Sequence, residues 1–192
     1  FNKTRAVTKV ADMEGLKIRV GGGVVNEVTK ALGVTSILKP SSQSFELMNA
    51  GVVDGVFFPS ESVTAFKLDG LVKYGTLVPG GLYNTSFLIM MSPDALAKLS
   101  DADQKAVMGL AGEPLARLAG EAWDKADATA LDVMKAGGVE LVTADAAMLA
   151  EIATRTKPIE EEWYGKVKAM GVDGPAVMEA LRAEIKSVAS GG

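Results

Sequence analysis

The sequence predicts an α/β fold built on a largely parallel sheet, in one large domain or two small lobes. Two observations carry that expectation. Up to about residue 91, short strand-like runs alternate with short helical ones, the pattern of βαβ units. Beyond it, four or five amphipathic helical stretches surround a single further strand, so their apolar stripes need a sheet to cover.

Residues 16–20 (LKIRV) alternate, with Leu16, Ile18 and Val20 on one face and Lys17 and Arg19 on the other. Gly21, Gly22 and Gly23 follow, then Val25, Val28 and Leu32 recur at helical spacing until Gly33. Residues 35–38 read as a second strand, 42–49 as a helix ended by Gly51, and 52–58 as a third strand closed by Pro59. A helix over 60–68 turns Val63 and Phe66 inward, and strands over 74–78 and 85–91 complete the set. Met90 and Met91 read as core filler.

In the second half, Ser92 and Pro93 make an N-cap and first-turn pair, and Asp101 with Gln104 reads as a capping-box variant. Pro114 must kink or break the long helical pattern that follows. Residues 139–142 form one more strand, with Thr143 capping the next helix. Asp173, Gly174 and Pro175 start the last one. One strand cannot make a sheet. The expectation is therefore that an N-terminal portion is missing or supplied by another chain.

Composition narrows the function. The 192 residues are 48% hydrophobic and 23% charged, as in a soluble globular protein. No apolar run approaches the ~20 residues that span a bilayer. Phe1 begins mid-pattern without initiator Met or signal sequence, so the chain reads as processed or truncated. A net charge of -4 argues against a nucleic-acid partner. With no Cys and no His, thiolate or imidazole zinc sites, His-based triads and Cys nucleophiles are excluded. No cofactor and no metal site is implied.

Several residues are candidates for a ligand site. Arg19 lies at the carboxyl end of the first strand, where α/β sheets bind ligands. A guanidinium there holds a carboxylate through two parallel hydrogen bonds, unless it is simply an exposed strand-end Arg. Gly21, Gly22 and Gly23 form either an anion-cradling loop or a flexible turn. They match neither common nucleotide motif. Arg5 is a second fixed cation, in a stretch (residues 1–10) that reads as an edge or connecting strand, and is readable also as a solvated charge. Phe57 and Phe58 read as core aromatics or a ligand wall. Glu160, Glu161 and Glu162 read as the wet face of a helix.

Asp12, Gly15, Lys17 and Arg19, then Leu32, Gly33 and Val34, then Gly51, Val53, Asp54 and Gly55, stand in the order D-x-x-G-x-K-x-R, L-G-A/V, G-x-V-D-G. With "ALAKLSDADQKAV" and the final "GVDGPAVMEALR", this resembles the DctP-type solute-binding proteins of TRAP (tripartite ATP-independent periplasmic) transporters. The resemblance implies a periplasmic-binding-protein type fold of two α/β lobes, a ligand cleft, a long bridging helix and hinge closure. Residues 1–92 would be lobe II, carrying the carboxylate side of the cleft. Residues 93–192 would be the bridging helix and the C-terminal helices of lobe I, with the rest of that lobe absent from this chain. Family members carry about a hundred further N-terminal residues, within one-domain size.

By the same resemblance, Arg19 matches the arginine that clamps the ligand carboxylate and Arg5 a second cleft arginine found in part of the family. Phe58 stands where sialic-acid binders have Asn, which points to a less polar ligand body. Gln43 stands where Glu is common, and Pro93 where Asn is frequent. Ser41, Ser42, Asn84 and Gly21 are further candidate contacts. The implied function is periplasmic capture of a small organic acid, after signal-peptide removal, for TRAP membrane permease subunits. The alternative is an α/β enzyme with an anion loop at Gly21, Gly22 and Gly23 and Asp54 or Glu46 as base.

Overall fold

The computed structural model describes residues 1–190. Strand β1 (Lys17–Val20) is central to a parallel group, paired with β2 (Thr35–Leu38) and β3 (Gly55–Val56) in the order β2-β1-β3. Arg19 registers with Ile37 on one side and Val56 on the other. Helices α1 (Val24–Ala31), α2 (Ser44–Asn49) and α3 (Ser60–Ala65) provide the crossovers, with a single-turn helix at Ser41–Gln43 before α2. Strand β4 (Tyr74–Leu77) then pairs in parallel with β5 (Glu140–Thr143).

The first residues of the chain join the two groups. Asn2 bridges antiparallel to both Gly55 and Tyr74. Its N–H donates to the Tyr74 carbonyl (2.8 Å), and the Val56 N–H donates to the Phe1 carbonyl (2.9 Å). Gly55 leaves room for this contact: a Cβ there would lie 2.3 Å from the Phe1 oxygen.

Five helices follow β4: α4 (Pro93–Leu96), α5 (Asp101–Leu110), α6 (Glu113–Ala136), α7 (Ala146–Lys168) and α8 (Gly174–Ala189). The break between α5 and α6 is at Gly112, whose φ of 75° favours glycine. Pro114 therefore sits in a first turn rather than inside a helix, where its missing N–H costs nothing. Ser92 and Asp173 cap as the sequence suggests, accepting from Ala95 and Ala176 (both 3.1 Å). Two other caps differ. Ser100 rather than Asp101 caps α5, accepting from the Asp103 N–H (3.2 Å). Asp145 rather than Thr143 caps α7, because Thr143 is the last residue of β5, paired with Leu77.

The apolar residues of the sheet sort into two layers. Leu16, Ile18 and Val20 pack with Val25, Val28 and Leu32 from α1 and with Met148 and Ile152 from α7. On the other side Val56 packs with Met48, Val63 and Leu68, and with Ala130 and Met134 from α6. Both layers thus draw on residues from either side of position 92. The strand expected to need a sheet from elsewhere finds its partner in β4 of the same chain.

Two strand expectations are corrected. The third strand contracts from 52–58 to Gly55–Val56: the Val52 and Val53 N–H groups donate back to the Leu47 carbonyl (2.9 and 3.2 Å), so contact with β1 begins only at Asp54, whose N–H donates to the Lys17 carbonyl (2.7 Å). Residues 85–91 form no strand, since no described strand runs beside them. Phe87, Leu88, Ile89 and Met90 are 69–81% exposed, so Met90 and Met91 are not core filler. Glu160 does more than solvate: it accepts from Arg182 (2.6 Å) and from Tyr164, tying α8 to α7. Glu161 and Glu162 pair with Lys157 and Lys166 on the surface.

Candidate functional site

β1, β2 and β3 run parallel, and β4 shares their direction because Asn2 bridges antiparallel to both Gly55 and Tyr74, so their carboxyl ends open to the same side. The segments leaving that side surround a cavity of about 1260 Å³. Arg19 and Gly21 come from β1 and its exit, Ser41 from the turn after β2, Phe57 and Phe58 from the exit of β3, and Tyr83 and Asn84 from beyond β4. Helix α6 adds Trp123, Asp124 and Asp127.

Alternation along β1 sends Arg19 to the face opposite Ile18 and Val20, and the neighbouring elements bury it to 5% exposure. Its Nε donates to the Lys39 carbonyl (2.8 Å), which fixes the plane of the guanidinium. The guanidinium carbon lies 4.9 Å from the ring centroid of Phe58, a cation–π contact. Phe58 is held in turn by stacking on Phe66 at 5.3 Å. Among the described residues no Asp or Glu pairs with Arg19, and Nε is the one guanidinium nitrogen that finds an acceptor.

A buried charge without a counter-ion is costly. Burial pulls the Arg19 pKa below its ordinary value, and the nearby Tyr83 hydroxyl acts in the opposite direction. Burial likewise raises the Tyr83 pKa, against the opposing effect of Arg19, and its hydroxyl donates to the Phe57 carbonyl (3.1 Å). The site thus combines a fixed cation with an aromatic wall. Its chemistry is reception of an anion with an apolar body.

Arg19, Gly21, Ser41, Phe58 and Asn84 are brought together around the cavity. Arg5 and Gln43 are not. The Arg5 guanidinium is exposed and donates to the Asp12 carbonyl (2.8 Å) and to the Glu14 carbonyl, closing the turn at Val10–Met13. Backbone carbonyls within ten residues hold it. Gln43 is exposed in the Ser41–Gln43 turn and precedes α2 without a side-chain cap. Among the enzyme candidates, Asp54 meets Lys17 at the start of β1, whereas Gly21 follows its end. Glu46 is exposed on α2. Neither lines the cavity that Gly21 and Gly22 border.

Reading the sequence missed Tyr83, Trp123, Glu61 and Asp127. A signal existed for two of them: Trp123 and Asp127 are four apart on α6 and share a face, where Trp123 is the helix's one aromatic. Tyr83 and Glu61 carry no local pattern that separates them from surface residues.

The sequence profile of the bacterial extracellular solute-binding proteins, family 7 (DctP), matches residues 1–166. The chain belongs to this family. Among solved structures it is similar to a TRAP periplasmic solute-binding protein from Bordetella bronchiseptica with bound (R)- and (S)-mandelate, at 45% identity and a TM-score of 0.86. That match covers 98% of this chain and 60% of the other. A marine-metagenome TRAP solute-binding protein specific for aromatic acid ligands, in complex with 3-hydroxybenzoate, is 30% identical with a TM-score of 0.88. There 97% of this chain and 59% of the other are covered. A curated relative, the outer membrane transporter protein TsaT of Comamonas testosteroni, is 25% identical over 173 residues, 90% of this chain and 51% of its own length. The chain thus spans about half the length of that relative and three fifths of the solved structures. The α/β solute-binding fold expected from the DctP resemblance is the fold found. No helix among the described residues is long and apolar enough to cross a membrane.

Proposed function

We propose that this DctP-family chain is the ligand-capturing part of a periplasmic protein that binds an aromatic monocarboxylate and delivers it to TRAP permease subunits. Arg19 receives the carboxylate, and Phe58 with Tyr83 walls the ring. Gly21, Ser41 and Asn84 supply further contacts on the rim. The observation that carries this reading is the Arg19 guanidinium, buried beside the cavity and unpaired with any described carboxylate. Burying a charge without a partner is tolerated where a ligand supplies one. The aromatic acids bound by two of the similar proteins support the ligand class. The reading of a binder rather than an enzyme is supported by the solute-binding family to which the chain belongs.

A thermal-shift screen of the full-length protein tests it. Benzoate, mandelate and 3-hydroxybenzoate should each raise Tm in proportion to RT ln(1+[L]/Kd), and nucleotides and inorganic phosphate should not. Stabilisation by nucleotides alone, with no response to any organic acid, would reject the proposal.

A further inference from the structure

The side of the cavity formed by α3 and α6 holds a carboxylate fixed in place. Glu61 Oε1 accepts from the Ser62 hydroxyl (2.6 Å) and from the Trp123 indole N–H (3.2 Å). The Glu61 backbone N–H donates to Asp127 Oδ1 (2.7 Å), which pins the same residue to α6 a second time. Trp123 is itself steadied by stacking on Phe87 at 5.0 Å. Among the described residues no Lys or Arg pairs with Glu61. The cavity is therefore lined by one charged cationic side chain, Arg19, and three carboxylates, Glu61, Asp124 and Asp127.

This imbalance has a consequence for selection. Arg19 satisfies one acid group of a ligand. A second acid group finds no second cationic side chain among the described residues and meets the Glu61 carboxylate, a like-charge contact that costs affinity. A hydroxyl in that position instead donates to Glu61 Oε2, which accepts from no described residue. Resting on the assignment of Arg19 as the carboxylate receptor, we infer that Glu61 is the residue that selects monoanions. It favours acids with a hydroxyl donor on the ring and excludes dicarboxylates.

Calorimetry on the full-length protein with benzoate, 3-hydroxybenzoate and isophthalate tests this, since the last two differ only in the ring substituent. Wild type should bind isophthalate at least about tenfold more weakly than 3-hydroxybenzoate, about 1.4 kcal/mol. Glu61→Gln keeps an acceptor for Trp123 and should bring the two affinities to within about threefold. Two results overturn the inference while leaving the role of Arg19 intact. One is wild type binding isophthalate as tightly as 3-hydroxybenzoate, which needs no variant to fold. The other is a folded Glu61→Gln, judged by its unliganded Tm, that leaves the ratio unchanged. Failure of wild type to bind any of the three acids would overturn the parent proposal and this one with it.

Discussion

Replacing Arg19 by Lys keeps the charge and removes the geometry, so it isolates what the guanidinium contributes. A carboxylate held by two parallel N–H groups would keep one, and the net worth of a hydrogen bond between charged partners is ~1.5–3 kcal/mol. The variant also loses the planar contact with Phe58, whose ring centroid lies 4.9 Å away. That contact adds ~0.5–1 kcal/mol. The Lys39 carbonyl, which now accepts from Nε at 2.8 Å, would lose its donor. An ammonium on a flexible stem cannot serve that carbonyl and a ligand together. The combined loss is about 2–4 kcal/mol, or roughly 30- to 900-fold in Kd. Titration calorimetry of the full-length protein with benzoate reads it directly, with the unliganded Tm confirming that the variant folds. A Kd within about threefold of wild type would refute the reasoning.

Three further outcomes follow from the same geometry. Phe58→Leu retains an apolar wall and removes the π face, so benzoate affinity should fall by ~1 kcal/mol, checked by the same titration. Met134→Ala empties a fully buried position between α6 and the β3 layer and should cost about 2–5 kcal/mol in urea denaturation. Hydrogen bonds from Arg182 and then Tyr164 hold the Glu160 pKa below its ordinary value. The α7–α8 tether is thus present above the ordinary glutamate range and is lost as pH falls through the depressed value. The Arg182 side-chain NMR signal should titrate below the ordinary glutamate midpoint, and titration at or above that midpoint contradicts the tether.

Much of the local structure was legible because it rests on local rules. Ile18 and Val20 alternate with Arg19, Gly33 ends a helix at φ 75°, and Asp173 caps α8 just before Pro175. Pro114 marks the break between α5 and α6, although the glycine two residues earlier makes the turn. What was not legible depends on partners far along the chain. Residues 1–10 read as an edge or connecting strand, but that Asn2 meets residues 55 and 74 is not visible in its own neighbourhood. Strand β5 reads as an orphan until β4, more than sixty residues earlier, is placed beside it. Residues 85–91 have the composition of a buried strand, and composition alone does not say whether a neighbouring strand is there to receive it.

The site divides the same way. The place of Arg19 on the cavity was legible because strand alternation and strand ends fix both its face and its position. That Arg5 lies off the cavity lining was not legible, because the carbonyls that hold it, at Asp12 and Glu14, come into range only when the intervening turn folds. Glu61 and Trp123 meet across 62 residues, a contact that helical periodicity within either helix does not disclose.

The most direct test is a crystal structure of the full-length protein grown with benzoate. The predicted result is the ligand carboxylate within hydrogen-bonding distance of the two terminal nitrogens of Arg19, with the ring against Phe58. Benzoate seated at the glycine turn after β1, with the guanidinium contacting only Lys39 and Phe58, would contradict the account.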